Sequence, residues 1–196
     1  MFRRRMIAVA ALTAIAVFLT AGIIFAQFRR STEPTPTPIG GPFELVDQYG
    51  HVVTDKTFAG KPSVIFFGYT SCPDVCPATL MDLTNWLKAL GPAADKLNVL
   101  FISIDPERDR PAHLREFLSS FDPRIRGLTG TNEQIAAVAT EYKVYYKRIS
   151  EKDGDYTMDH SGAMYLMDSA GRFVAPLSWQ TDGNLAIERL RSLAAS

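Results

Sequence analysis

Both cysteines of this 196-residue chain lie in one short segment, Tyr69-Thr70-Ser71-Cys72-Pro73-Asp74-Val75-Cys76-Pro77. Two thiols separated by three residues can close a disulfide or share one soft metal ion. Pro77 has no N–H to donate, which suits the first turn of a helix; Cys72 then falls in the preceding turn and Cys76 near the helix N-terminus. A helix N-terminus favours negative charge, so Cys76 foremost, and Cys72 beside it, are expected to have depressed pKa values and thiolate character. A thiolate is the form that attacks disulfides and the form that binds metal. A purely structural disulfide would staple only a very short loop, and such loops stabilise least.

Two thiolates suit Cu(I), whereas a structural zinc site would want four ligands that the cysteines here do not supply. A third ligand has to come from elsewhere, and the chain holds three histidines, His51, His113 and His160. His51 lies in a turn-rich segment and His113 in a helix opened by Pro111, positions suited to surface or cap roles. His160 stands in Met158-Asp159-His160-Ser161-Gly162, read here as a polar loop before a strand. Around it, Asp159 can either orient the imidazole or form a local turn, and Met158 can be an axial sulfur or packing. Asp105, at the end of an apolar run, can contact the site or cap a turn. Thr70 and Ser71 are placed to hydrogen-bond the sulfurs, and Met81, Met164 and Met167 read as core. A peroxidase would need Thr three residues before its cysteine; Tyr69 stands there instead.

These side chains need a scaffold. Lys plus Arg and Asp plus Glu both number 21, and the basic residues are dispersed, which argues against a nucleic-acid partner. An apolar share of 46% suffices for one buried core. Residues 6–26 are almost wholly apolar, and Arg3, Arg4 and Arg5 precede them. The expectation is a membrane anchor over residues 6–28, with residues 1–5 in the cytoplasm and the rest exported; the alternative is a cleaved signal peptide, against which stand the length of the apolar run and the lack of an A-x-A-like site after it. Residues 29–42 hold the proline-rich STEPTPTPIGGP, a semi-rigid polyproline spacer.

The domain then occupies residues 43–196. Strands are expected at 43–46 and 51–53, around a turn at Asp47-Gln48-Tyr49-Gly50, and at 63–68, 99–104, 163–167 and 173–175. Helices are expected at 79–90, 112–121, 132–142 and 184–193, with Thr131 and Gln134 forming a capping box. Such alternation gives an α/β fold whose mixed sheet contains parallel pairs and is covered on both faces. In such sheets the working site lies beyond the carboxyl ends of the central strands, where the cysteine loop begins.

From about residue 41 to 193 the chain resembles the Sco/SenC family of copper-binding assembly factors for cytochrome oxidase. The resemblance rests on Cys72-Pro73-Asp74-Val75-Cys76-Pro77, on Ile104-Asp105-Pro106-Glu107-Arg108-Asp109 and on Asp159-His160-Ser161, in that order. It implies a thioredoxin-like fold with an N-terminal β-hairpin behind one transmembrane helix, and a single copper ion, Cu(I) or Cu(II), held by Cys72, Cys76 and His160. It also implies delivery to cytochrome c oxidase subunit II, a periplasmic domain on the bacterial inner membrane, and another periplasmic copper carrier or reductant as partner. The alternative use of Cys72 and Cys76 is as a redox dithiol that keeps the oxidase cysteines reduced. Against a general reductase stand the C-x₃-C spacing and the missing proline before the 163–167 strand, where thioredoxin-like reductases keep a cis-proline.

Overall fold

The computed structural model describes residues 18–22, 38–151 and 154–196. It divides into two units, Met1–Thr37 and Pro38–Ser196. In the first, residues 18–22 are helical. The expected anchor at 6–28 otherwise lies outside the described residues, as does most of the spacer. No helix among the described residues is long and apolar enough to cross a membrane.

The expected first hairpin is present as β1 (Glu44–Asp47) and β2 (Val52–Thr54). Its turn is held by Asp47, whose Oδ1 accepts from the N–H groups of Tyr49 and His51, and Gly50 takes a φ of 88°. The run SVIFFG forms β3 (Ser63–Gly68), buried along its whole length as a central strand should be. Helix α1 (Val75–Leu90) follows, one turn longer at its start than the leucine spacing alone indicates. β4 (Asn98–Ser103) runs parallel to β3, and their carboxyl ends meet where Gly68 pairs with Ser103.

After α2 (Pro111–Leu118) comes a strand the sequence analysis missed, β5 (Ile125–Thr129), parallel to β4. Its Gly127 looks like a strand breaker, but a Cβ there would lie 2.6 Å from Leu118 Cδ1; glycine lets α2 pack close on the sheet. Helix α3 (Asn132–Glu141) opens with the expected capping box: Gln134 N–H donates to Thr131 Oγ1 and Thr131 N–H to Gln134 Oε1. A second missed element is the antiparallel pair β6 (Tyr146–Ser150) and β7 (Tyr156–His160), which forms a separate two-stranded sheet. His160 therefore ends a strand instead of sitting in a loop. The chain closes with β8 (Ala163–Met167), β9 (Phe173–Ser178) and α4 (Gly183–Leu193).

The main sheet has the order β2-β1-β5-β4-β3-β8-β9, with β3, β4 and β5 mutually parallel and the outer strands antiparallel, which is the mixed sheet expected. Rings mark its two covered faces. Phe101 packs its ring against Phe66 and against Phe117 of α2 on one, while Phe67 and Tyr165 meet Tyr142 at the end of α3 on the other. Helices α1 and α4 pack against each other. Met164 and Met167 are in this core, as read from the sequence, but Met81 is 46% exposed and is not. The inward row of α1 is carried by Leu80, Leu83 and Leu87, which leaves Met81 on the outer side.

Candidate metal centre

The loop between β3 and α1 puts both sulfurs at the helix N-terminus, where backbone N–H groups lack intrahelical partners. Asp74 is the N-cap residue, but its side chain makes no capping bond. The cap acceptor is Cys72: its Sγ accepts the N–H of Cys76 at 3.4 Å. Cys72 is half-buried and Cys76 fully buried, and both are free thiols.

This geometry reverses the expected division of charge. The Cys76 thiol donates to the Cys72 sulfur, and the N–H groups of Asp74 and Cys76 also point at it, so the Cys72 pKa falls from 9.0 to about 5. Cys76 moves the other way. It is the donor in the thiol–thiolate bond, it is buried, and the negative charges of Cys72 and Asp109 stand near it, so its pKa is pushed far above the ordinary thiol value. The helix N-terminus was expected to act on Cys76 first; the turn directs its N–H to Cys72 instead.

His160 reaches the pair from β7. Its Nε2 lies 3.7 Å from Cys76 Sγ, and its Nδ1 is 3.0 Å from the Ser161 carbonyl. A carbonyl can only accept, so Nδ1 carries a proton, and in the neutral imidazole Nε2 then keeps its lone pair on the side of the sulfur. The structure thus brings Cys72, Cys76 and His160 together, with Cys76 as common neighbour. Among the described residues no group of three or more His, Cys, Asp or Glu side chains is arranged to hold a metal ion. The donor set itself, two sulfurs and one imidazole nitrogen, is the chemistry of a soft-metal site.

The neighbouring residues sort themselves. Asp159 is exposed, and the role once open to it, accepting from His160, belongs to the Ser161 carbonyl. Met158 is 9% exposed and packs in the core cluster. Thr70 does not serve the sulfurs: its N–H and hydroxyl both go to Asp109, and it accepts from His113 Nε2 at 3.0 Å. Ser71 is exposed. His51 is exposed beside Asp47, and His113, through Thr70, braces the loop. Asp105 is buried and turns away from the sulfurs, binding the Arg108 guanidinium and the Tyr156 hydroxyl.

Several residues that build the site carry no signal of their own in the sequence. Asp109 is fully buried, taking Ser103 Oγ at 2.6 Å as well as the two Thr70 donors, and so ties the cysteine loop to the end of β4. Burial raises its pKa, and the hydrogen bonds from Ser103 and Thr70 oppose that rise. Tyr69 shares a hydrogen bond of 2.8 Å with Thr157 and sets its ring edge-on to His160, centroids 5.9 Å apart. Tyr156 lies between the guanidinium groups of Arg108 and Arg148 at 3.8 and 3.5 Å. The signal that could have revealed this set is position: the 104–109 stretch follows β4, whose end adjoins that of β3.

Known proteins resemble this chain in sequence and in fold. Residues 31–195 match the protein family described as SCO1/SenC. The mitochondrial protein SCO1 of Saccharomyces cerevisiae is 43% identical over 155 residues, which cover 78% of this chain and 52% of the yeast protein. The chain thus spans about half the length of the yeast relatives it matches. The structure of Bradyrhizobium japonicum ScoI with copper bound superposes with a TM-score of 0.75 at 54% identity, covering 79% of this chain and 99% of that one. Yeast Sco1 with copper bound gives a TM-score of 0.73 at 41% identity, covering 81% and 90%.

Proposed function

The chain belongs to the SCO1/SenC family, and on that footing we propose that it is a copper metallochaperone that loads cytochrome c oxidase subunit II during assembly. One copper ion is its cargo, taken by the sulfurs of Cys72 and Cys76 and by Nε2 of His160. The observation that carries this reading is the 3.7 Å approach of His160 Nε2 to Cys76 Sγ with Nδ1 committed to a carbonyl, because it leaves a nitrogen lone pair aimed at a dithiol. The copper carried by the Bradyrhizobium and yeast relatives supports the choice of metal. The description of the Sco family as cytochrome c oxidase assembly proteins supports an oxidase as the acceptor.

The residues divide the work by exposure. Cys72, half-exposed and already a thiolate, is the sulfur an incoming ion meets first. Cys76 and His160 then complete the set, and Cys76 gives up its proton as it binds. Three ligands leave a position open for an acceptor's sulfur, so copper leaves by ligand exchange, with no step in which it is bare. Loading needs the reduced dithiol, which an oxidising compartment opposes, so a periplasmic reductant or copper carrier acts upstream. An anchor at 6–28 and the proline-rich spacer hold the domain on the outer side of a bacterial inner membrane, within reach of a membrane-bound oxidase.

Thiol–disulfide reduction by the same pair would use the half-exposed Cys72 thiolate, but the site lacks the proline of a thioredoxin-like reductase. Among the described residues no peptide bond is cis, and Gly162 stands where a reductase's cis-proline would precede β8. Copper titration of the wild type, Cys72→Ser, Cys76→Ser and His160→Ala tests the proposal. Weakened binding in all three is expected, and undiminished affinity in all three would sink it.

A further inference from the structure

The cysteine loop and His160 come from elements far apart in sequence and in different sheets, and something must hold them in register. One side chain touches both. Tyr69 follows β3, three residues before Cys72, and is 3% exposed. Its hydroxyl and Thr157 Oγ1 share a 2.8 Å hydrogen bond across 88 residues of chain. Its ring stands at 83° to the His160 imidazole with centroids 5.9 Å apart, and the Arg108 guanidinium lies 5.9 Å from its centroid. Tyr156, next to Thr157, is tied down separately by Asp105 and the two arginines, so the start of β7 is a rigid partner for Tyr69 to pull on.

Resting on the copper reading above, we infer that Tyr69 is a positioning residue for the metal site: through Thr157 and the His160 ring it sets the imidazole at contact distance from Cys76. The hydroxyl fixes where β7 lies against the cysteine loop. The ring, edge-on to the imidazole, limits rotation of His160 to poses that keep Nε2 toward the sulfur. Without the hydroxyl bond, β7 is still folded by its pairing with β6 and still tied at Tyr156 to Asp105 and Arg108, and what is lost is the direct tie from Thr157 to the cysteine loop.

The test removes each end of the one hydrogen bond with near-isosteric changes, Tyr69→Phe, Thr157→Val and the double variant, in the full chain. In copper-free protein, deuterium exchange at the His160 imidazole C2–H is read by mass spectrometry. Faster exchange in both single variants, and no further gain in the double, supports the inference. Copper affinity should fall about fivefold in each single variant and no more in the double, the worth of one shared hydrogen bond. Wild-type exchange in both single variants, unaltered copper affinity in both, or additive effects would overturn it. Full copper affinity in His160→Ala would instead overturn the ligand set, and the copper-free exchange arm separates that failure from this one.

Discussion

The N–H of Cys76 donates to the Sγ of Cys72 at 3.4 Å, so the second cysteine of the pair stabilises the charge on the first. The Cys76 thiol adds a second donor to the same sulfur. One proton is therefore shared unequally, with Cys72 ionised and Cys76 not.

Selective alkylation follows. Cys72 has its pKa lowered from 9.0 to about 5, so its thiolate population, and with it the iodoacetamide rate, holds at neutral pH and falls as the pH drops through about 5. Cys76 is buried and protonated, and it labels only slowly across the same range. Pulsed alkylation with peptide mass spectrometry checks the Cys72 midpoint and the slow labelling of Cys76. Equal labelling of the two thiols at neutral pH would contradict the assignment.

Proton release reports the same asymmetry from the metal's side. At about pH 8, above the ordinary imidazole range, Cys72 and the Nε2 of His160 have no proton to lose and Cys76 has one, so Cu(I) uptake should release about one proton per ion. Copper titration in weakly buffered solution with a pH indicator measures it. Release of two protons would mean that Cys72 is not a thiolate in the copper-free protein.

Gly68 is a point of close approach. A Cβ there would lie 2.9 Å from Cys76 Sγ and 2.8 Å from Phe101 Cε2. Gly68→Ala must therefore displace the buried sulfur, the ring, or both. The expected cost is about 1–3 kcal/mol in urea unfolding, together with weaker copper binding. Wild-type values in both would mean that the end of β3 yields freely.

Asp109 is the latch behind the cysteine loop. Asp109→Ala leaves the Thr70 N–H and the Thr70 and Ser103 hydroxyls without their acceptor, at a cost of about 1–3 kcal/mol. Amide hydrogen exchange at Thr70 and neighbouring loop residues should rise well above the change in global stability. Unchanged exchange in the loop would show that the backbone there is held by other means.

The parts of the molecule that were legible in the sequence are those governed by local chemistry. The Asp47 turn, the capping box of Thr131 and Gln134, and the end of α1 at Leu90 each depend on a few adjacent residues. The cysteine pair was legible for the same reason, since Pro77 and the three-residue spacing place it on a helix start. What escaped depends on long-range packing. In β7, Tyr156, Met158 and His160 alternate with Thr157 and Asp159, a period-two pattern obscured by its polar members. Gly127 disguised β5 because α2 had to be seen lying on it. The pKa order of the thiols turned on which sulfur receives one N–H, a matter of turn geometry. The placing of His160 as third ligand rested on family resemblance, and its 3.7 Å approach to Cys76 gives that expectation a geometric footing.

The central claim is a site of two sulfurs and one imidazole nitrogen, and copper X-ray absorption tests it most directly. The full chain loaded with Cu(I) should give two sulfurs and one nitrogen, and the nitrogen should vanish in His160→Ala while both sulfurs stay. A sulfur-only shell in the wild type, or a nitrogen that persists in His160→Ala, would contradict the account.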